Sequence, residues 1–193
     1  MSAATVPDLE RATAQEVLAY AVQRFHPRLT LACSFQKEES VLFHMLSQID
    51  AGAEPLRAFT IDTGVLFPQT LATWRRFEER FPLKIEVVDA SSPEEPWTAE
   101  RCCSEAKVAA LETVLAGVDA WITGIRREQA PTRAAAPKAE RDERRGIFKL
   151  NPLVDWSEKD VWRYVFEHDL PYNPLHDEGY DSIGCAPCTR PGS

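Results

Sequence analysis

Hydrophobic positions along this chain alternate between two rhythms. Thr13 and Glu16 have the spacing of a capping box, and after them Val17, Leu18, Ala21, Val22 and Phe25 recur at helical intervals. The run Leu29-Thr30-Leu31-Ala32-Cys33 predicts a buried strand. Glu38 and Glu39 suit the positive end of a helix dipole and open a second helix, with Val41, Leu42, Met45, Leu46 and Ile49 on one side. Leu56 to Asp62 predicts a strand, and Pro68 starts a helix carrying Leu71, Trp74 and Phe77. Leu83 to Val88 reads as a strand, about Thr98 to Leu115 as a helix, and Ala120 to Thr123 as a strand ending at Gly124. Ser157 caps a last helix with Val161, Trp162, Val165 and Phe166.

Strands alternating with helices predict an α/β fold: a single domain over residues 1–193, with a mostly parallel sheet covered by helices on both faces. Such sheets bind ligands at the carboxyl ends of their strands. Two stretches break the pattern. Arg126 to Arg145 holds seven basic and four acidic residues with an alanine run inside, and reads as a loop; Pro171 to Ser193 is rich in Pro, Gly and Asp and reads as irregular.

Composition narrows the function. The net charge of −8 argues against nucleic-acid binding, which needs broad positive potential. No window approaches the roughly 18 apolar residues of a membrane span, and Met1 to Glu10 has neither the basic start nor the apolar run of a secretory signal. A cytosolic chain is expected. Its oligomeric state stays open, a homo-oligomer included.

Three motifs fall at one predicted edge of the sheet. Cys33-Ser34-Phe35-Gln36-Lys37-Glu38-Glu39-Ser40 joins a strand to a helix, where outward amides and hydroxyls receive an anion; its plainer reading is a serine-capped helix. Asp62-Thr63-Gly64 follows the next strand, with Gly64 permitting a tight turn. Gly124 to Arg133 brings Arg126, Arg127 and Arg133, whose guanidinium groups fork onto phosphate or sulfate oxygens, although a solvated charge run has the same composition. Together they form a candidate anion groove.

The cysteines supply a fourth motif. Four of the five sit in two clusters, Cys102-Cys103 and Cys185-Ala186-Pro187-Cys188, a distribution that suggests a metal or redox site rather than disulfide staples. Neighbouring helical residues point about 100° apart, so both members of the first pair reach one centre only by distortion or if that centre is large. This favours an iron–sulfur cluster over zinc. Lys107 lies four residues after Cys103, on the same helical face.

Ser34 to Ser40, Asp62-Thr63-Gly64, Arg126-Arg127-Glu128-Gln129 and Gly184-Cys185-Ala186-Pro187-Cys188, in this order between about Ala14 and Arg190, resemble assimilatory adenylylsulfate (APS) reductases. The resemblance implies the adenine nucleotide α-hydrolase-like fold, whose first loop is related to the pyrophosphate loop of ATP pyrophosphatases. It implies APS as substrate, with Ser34, Phe35, Gln36 and Ser40 under the phosphosulfate, Asp62, Thr63 and Gly64 near the nucleotide, and Arg126 and Arg127 holding the anion. It implies a [4Fe-4S] cluster on Cys102, Cys103, Cys185 and Cys188, Lys107 as electrostatic link to substrate, and thioredoxin as reductant of an S-sulfocysteine intermediate.

One departure stands out. In the family the nucleophilic cysteine belongs to a Glu-Cys-Gly-Leu-His-like element, which is absent up to Ser193, and Cys33 ends a buried strand. This 193-residue chain is therefore expected to bind nucleotide without thioredoxin-dependent sulfite release. The alternatives are a reductase of phosphoadenylylsulfate (PAPS) or of both substrates, a non-catalytic nucleotide-binding module with structural zinc, and an ATP-dependent sulfur-transfer enzyme acting on RNA. Two cysteine pairs favour APS over PAPS; the acidic charge and the lack of a double glycine in the loop count against the RNA enzyme.

Overall fold

Local signals account for most of the elements in the computed structural model, which describes residues 6–91 and 105–192. Helix α1 (Ala14–Phe25) begins at Thr13, whose Oγ1 accepts the Glu16 amide while Glu16 accepts the Thr13 amide at 2.7 Å. Strand β1 (Leu29–Ala32) leads into α2 (Lys37–Ser47), and β2 (Arg57–Asp62) into α3 (Pro68–Arg80), which has proline in its first turn. Strand β3 (Lys84–Asp89) follows, then α4 (Glu105–Leu115) and β4 (Ala120–Ile122). Helix α5 (Glu158–Glu167) starts at Ser157, which exchanges hydrogen bonds with Asp160. The predicted helix onset at Thr98, with Cys102 and Cys103, lies outside the described residues.

The Arg126–Arg145 segment is more ordered than its composition suggested. Two 3-10 turns, Arg127–Gln129 and Pro131–Arg133, precede β5 (Ala139–Asp142), which pairs antiparallel with β6 (Ile147–Leu150). Gly146, at φ +70°, closes the hairpin turn. Strand β5 carries charge instead of alternating apolar residues because it is an edge; Glu140 pairs with Lys149 at 3.0 Å, and the Arg141 guanidinium lies over the Phe148 ring.

The six strands are ordered β3-β2-β1-β4-β6-β5, and all but β5 run parallel. Side chains alternate between two cores. Leu29, Leu31, Ala58, Ile122 and Leu150 face α1, α2, α3 and α5. Phe59 and Ile147 face the opposite side, where they pack with Leu115 and Val118 around α4. The chain leaves β1 toward β2 on one side and meets β4 on the other, so the crevice between the ends of β1 and β4 is a topological switch point. No helix among the described residues is long and apolar enough to cross a membrane.

Candidate functional site

A cleft of about 390 Å³ opens at this switch point on the α4 face, within the usual range for a small-molecule site. Ser34, Phe35 and Gln36 form one lip after β1, and Gly124 and Ile125 form the other after β4. Leu111 and Trp121 make an apolar wall, Ile183 and Gly184 contribute the C-terminal side, and Lys107, Arg133 and Lys149 bring positive charge. Such a wall suits a planar apolar group joined to an anion.

Phe35 has φ +61°, a left-handed conformation that costs a non-glycine residue about 1 kcal/mol. Its fully buried ring stacks on Trp74 at 5.3 Å between centroids and meets Phe77 edge-on at 5.5 Å. Aromatic burial thus offsets the backbone cost and fixes the direction in which Ser34 and Gln36 leave the loop.

Two carboxylates lie under the same loop. Glu38 and the Arg126 guanidinium, each about 4% exposed, meet at 2.9 Å, and Gln129 Nε2 donates to the same Glu38 oxygen at 3.1 Å. Glu39 accepts from Ser34 Oγ at 3.0 Å and from the Gln36 amide at 2.9 Å. Burial, reinforced by the neighbouring Glu38, outweighs those donors and pushes the Glu39 carboxyl up to about 7. A Cβ on Gly124 would stand 2.8 Å from Glu39 Oε1 and 2.9 Å from Glu38 Cβ, so this close approach of β4 and α2 demands glycine. The sequence showed these glutamates only as first-turn acids, because nothing in local spacing reveals desolvation.

The expected site residues divide into two groups. Ser34, Phe35, Gln36 and Lys107 line the cleft. The side chains of Ser40, Arg126, Arg127 and Thr63 have other partners. Ser40 Oγ is fully buried and donates to Pro171 O at 2.7 Å. Arg126 serves Glu38 and Glu128, while Arg127 donates to Ala136 O at 2.9 Å and to Glu10 at 2.7 Å. Asp62 Oδ1 accepts the Gly64 amide at 2.8 Å, which closes a turn with Gly64 at φ +73°. Of the three arginines the sequence offered, Arg133 alone lines the cleft, where with Lys149 it adds positive charge beside Lys107.

Thr63 belongs to the cysteine segment: its Oγ1 lies 3.2 Å from Cys185 Sγ. Leu66 bridges to Cys185, and the Ala186 amide donates to Val65 O at 2.9 Å. The Cys188 and Thr189 amides both donate to Cys185 O, which folds the Cys-x-x-Cys run into a tight turn. Cys185 is a buried free thiol, whereas Cys188 is disulfide-bonded. With Cys188 reduced, the two sulfurs of this turn, with a hydroxyl beside one of them, have the chemistry of half a metal or cluster site. Among the described residues no group of three metal-ligating side chains gathers, so any further ligands have to come from outside them, where Cys102 and Cys103 lie.

The strand order and the cleft at its switch point are those of the adenine nucleotide α-hydrolase-like fold. Residues 28–191 match the phosphoadenosine phosphosulfate reductase domain, and the chain belongs to that family. It is 41% identical over 198 residues to an adenosine 5'-phosphosulfate reductase of Geobacillus kaustophilus, an alignment covering 96% of this chain and 83% of the relative. It is 43% identical over 191 residues to a phosphoadenosine 5'-phosphosulfate reductase of Gloeobacter violaceus, covering 92% and 78%. The crystal structure of a PAPS reductase from Candida auris, in a phosphate complex, superposes with a TM-score of 0.77 at 27% identity, covering 98% of this chain and 100% of that one.

Proposed function

We propose that this protein is an assimilatory sulfonucleotide reductase that binds adenosine 5'-phosphosulfate. One observation carries the reading: Ile183 and Gly184 form part of the cleft wall, so the cysteine turn directly adjoins the anion loop Ser34–Gln36. A substrate with its adenosine against Trp121 and Leu111 and its phosphosulfate toward Ser34 and the cleft cations would lie beside the sulfur centre. Cys185 and Cys188, with Cys102 and Cys103, would hold a [4Fe-4S] cluster. When bound, that group supplies a polarisable charge next to the phosphosulfate rather than electrons.

The reaction needs a thiolate that attacks the sulfate sulfur, breaks its bond to the phosphate oxygen and releases AMP. A dithiol such as thioredoxin then attacks the resulting S-sulfocysteine, releases sulfite and leaves as a disulfide. Cys33 is unsuited to the first step: burial, then the nearby Glu39 carboxylate, raises its thiol well above the ordinary value, and a thiol is not the nucleophile. Incubation with APS should leave Cys33 unmodified in peptide mass mapping, and an S-sulfonate on that residue would reverse this assignment.

Lys107 extends from α4 into the cleft wall as a charge partner for the anion. A charge-assisted hydrogen bond contributes about 1.5–3 kcal/mol, so Lys107→Met should weaken APS binding about 10- to 100-fold and flatten its salt dependence. Unchanged affinity would remove Lys107 from the site. The proposal as a whole is tested by calorimetric titration of anaerobic protein with APS and AMP, alongside iron, sulfide and zinc content. Failure to bind either nucleotide overturns it, and zinc in place of iron overturns the cluster. A second reading, with PAPS as substrate, draws on the three cleft cations Lys107, Arg133 and Lys149; tighter binding of adenosine 3',5'-bisphosphate than of AMP would establish it.

A further inference from the structure

The cysteine segment is tied to the anion loop by side chains that reach across about 130–150 residues of sequence. Lys37 Nζ donates to Asp181 O at 3.2 Å, and Ser40 Oγ donates to Pro171 O. Gln36 Oε1 accepts the Ile183 amide at 2.9 Å. The three ties differ in what lies at their other end. Lys37 continues to Glu158 at 3.2 Å and to the face of Trp162, away from the cleft. Ser40 is buried beneath the loop. Gln36 continues into the cleft: its Nε2 donates to Ser34 Oγ at 3.0 Å, and Ser34 in turn donates to Glu39 at 3.0 Å.

A primary amide has one accepting end and one donating end, set in a single plane. With Oε1 committed to the Ile183 amide, Nε2 is aimed at Ser34, and the reversed amide would oppose two donors. The position of the backbone two residues before Cys185 therefore determines how the Ser34 hydroxyl is presented at the cleft mouth.

We propose that Gln36 is a positioning residue that couples the cysteine centre to the anion loop. Order imposed on the 183–188 segment by a centre held at Cys185 and Cys188 sets Ser34 for the anion, and anion binding tightens the hold on that centre. Coupling between two sites is reciprocal, so either ligand changes the affinity of the other by one factor. This inference rests on the function proposed above.

The experiment uses the full chain, prepared anaerobically with iron loaded and again after chelator stripping, with AMP as the probe. Wild-type protein is expected to bind AMP about tenfold more tightly when loaded, within the usual span of site coupling, and AMP should slow iron release to a chelator by a similar factor. Gln36→Leu should still bind AMP, with both ratios within about twofold of one. Gln36→Glu keeps the acceptor for Ile183 but loses the donor to Ser34, so it should load normally and show the same loss; it decides the matter if the leucine variant does not fold or load. Ratios near ten retained in Gln36→Glu, or ratios of one in the wild type, overturn the coupling while leaving the function intact. Absence of AMP binding, or of iron, from wild-type protein overturns the function itself.

Discussion

Arg126→Ala should be the most damaging single substitution near the cleft. Its guanidinium is buried against Glu38, and among the described residues no other cation pairs with that carboxylate. Truncation leaves a buried charge with, among the described residues, the Gln129 amide as its one remaining side-chain partner, and breaking such a pair costs about 3–5 kcal/mol. In a chain of this size that is a fall of roughly 10 °C in Tm. Replacing both partners, as Arg126→Met with Glu38→Leu, should recover most of the loss, because the penalty lies in the orphaned charge rather than in a large net gain from the pair. Thermal and urea denaturation of the single and double variants check this. A single variant within 1 kcal/mol of wild type, by urea unfolding, would show that Glu38 is not buried in solution.

The second large effect is a pH dependence centred on Glu39. Its folded-state value of about 7 exceeds the ordinary 4.5, so between those limits the native state binds more protons than the unfolded chain. Stability contributed by this group is intact below about 4.5 and falls as pH rises through 7, a loss of about 3 kcal/mol at the plateau. Half-buried His176, pushed down by desolvation and then by Lys37, acts in the opposite direction in the acid part of the range. The difference between wild type and Glu39→Gln isolates the carboxyl. That variant should match wild type at about pH 4 and exceed it by about 3 kcal/mol at about pH 8 in urea denaturation. A difference independent of pH would place the Glu39 carboxyl in water.

Elements with their own local signal were legible in the sequence. The Thr13–Glu16 and Ser157–Asp160 pairs mark helix starts, and the apolar runs around Leu31, Phe59 and Ile122 became parallel strands. The β5–β6 hairpin was not legible, because a charged edge strand stabilised by partners such as Lys149 and Phe148 has no apolar alternation to read. At the site, the strand-loop-helix junction announced Ser34 to Gln36. Spacing could not show that Ser40 turns toward Pro171, that Thr63 faces Cys185, or that Arg126 faces Glu38, since each choice is made by a residue 88 or more positions away. The cysteine motif lay between these extremes: its Cys185 turn is in place beside the cleft, while Cys102 and Cys103 lie outside the described residues.

The left-handed Phe35, wedged between Trp74 and Phe77, has a thermodynamic corollary for recognition. Phosphate loops rich in glycine are pliable, and a ligand that orders one loses affinity to chain entropy. Here the strain is met during folding by ring packing, so the loop backbone is shaped before any ligand arrives, and the setting of the Ser34 hydroxyl is left to Gln36. Association should then resemble a key entering a cut lock, with little heat-capacity change beyond the desolvation of the adenine itself.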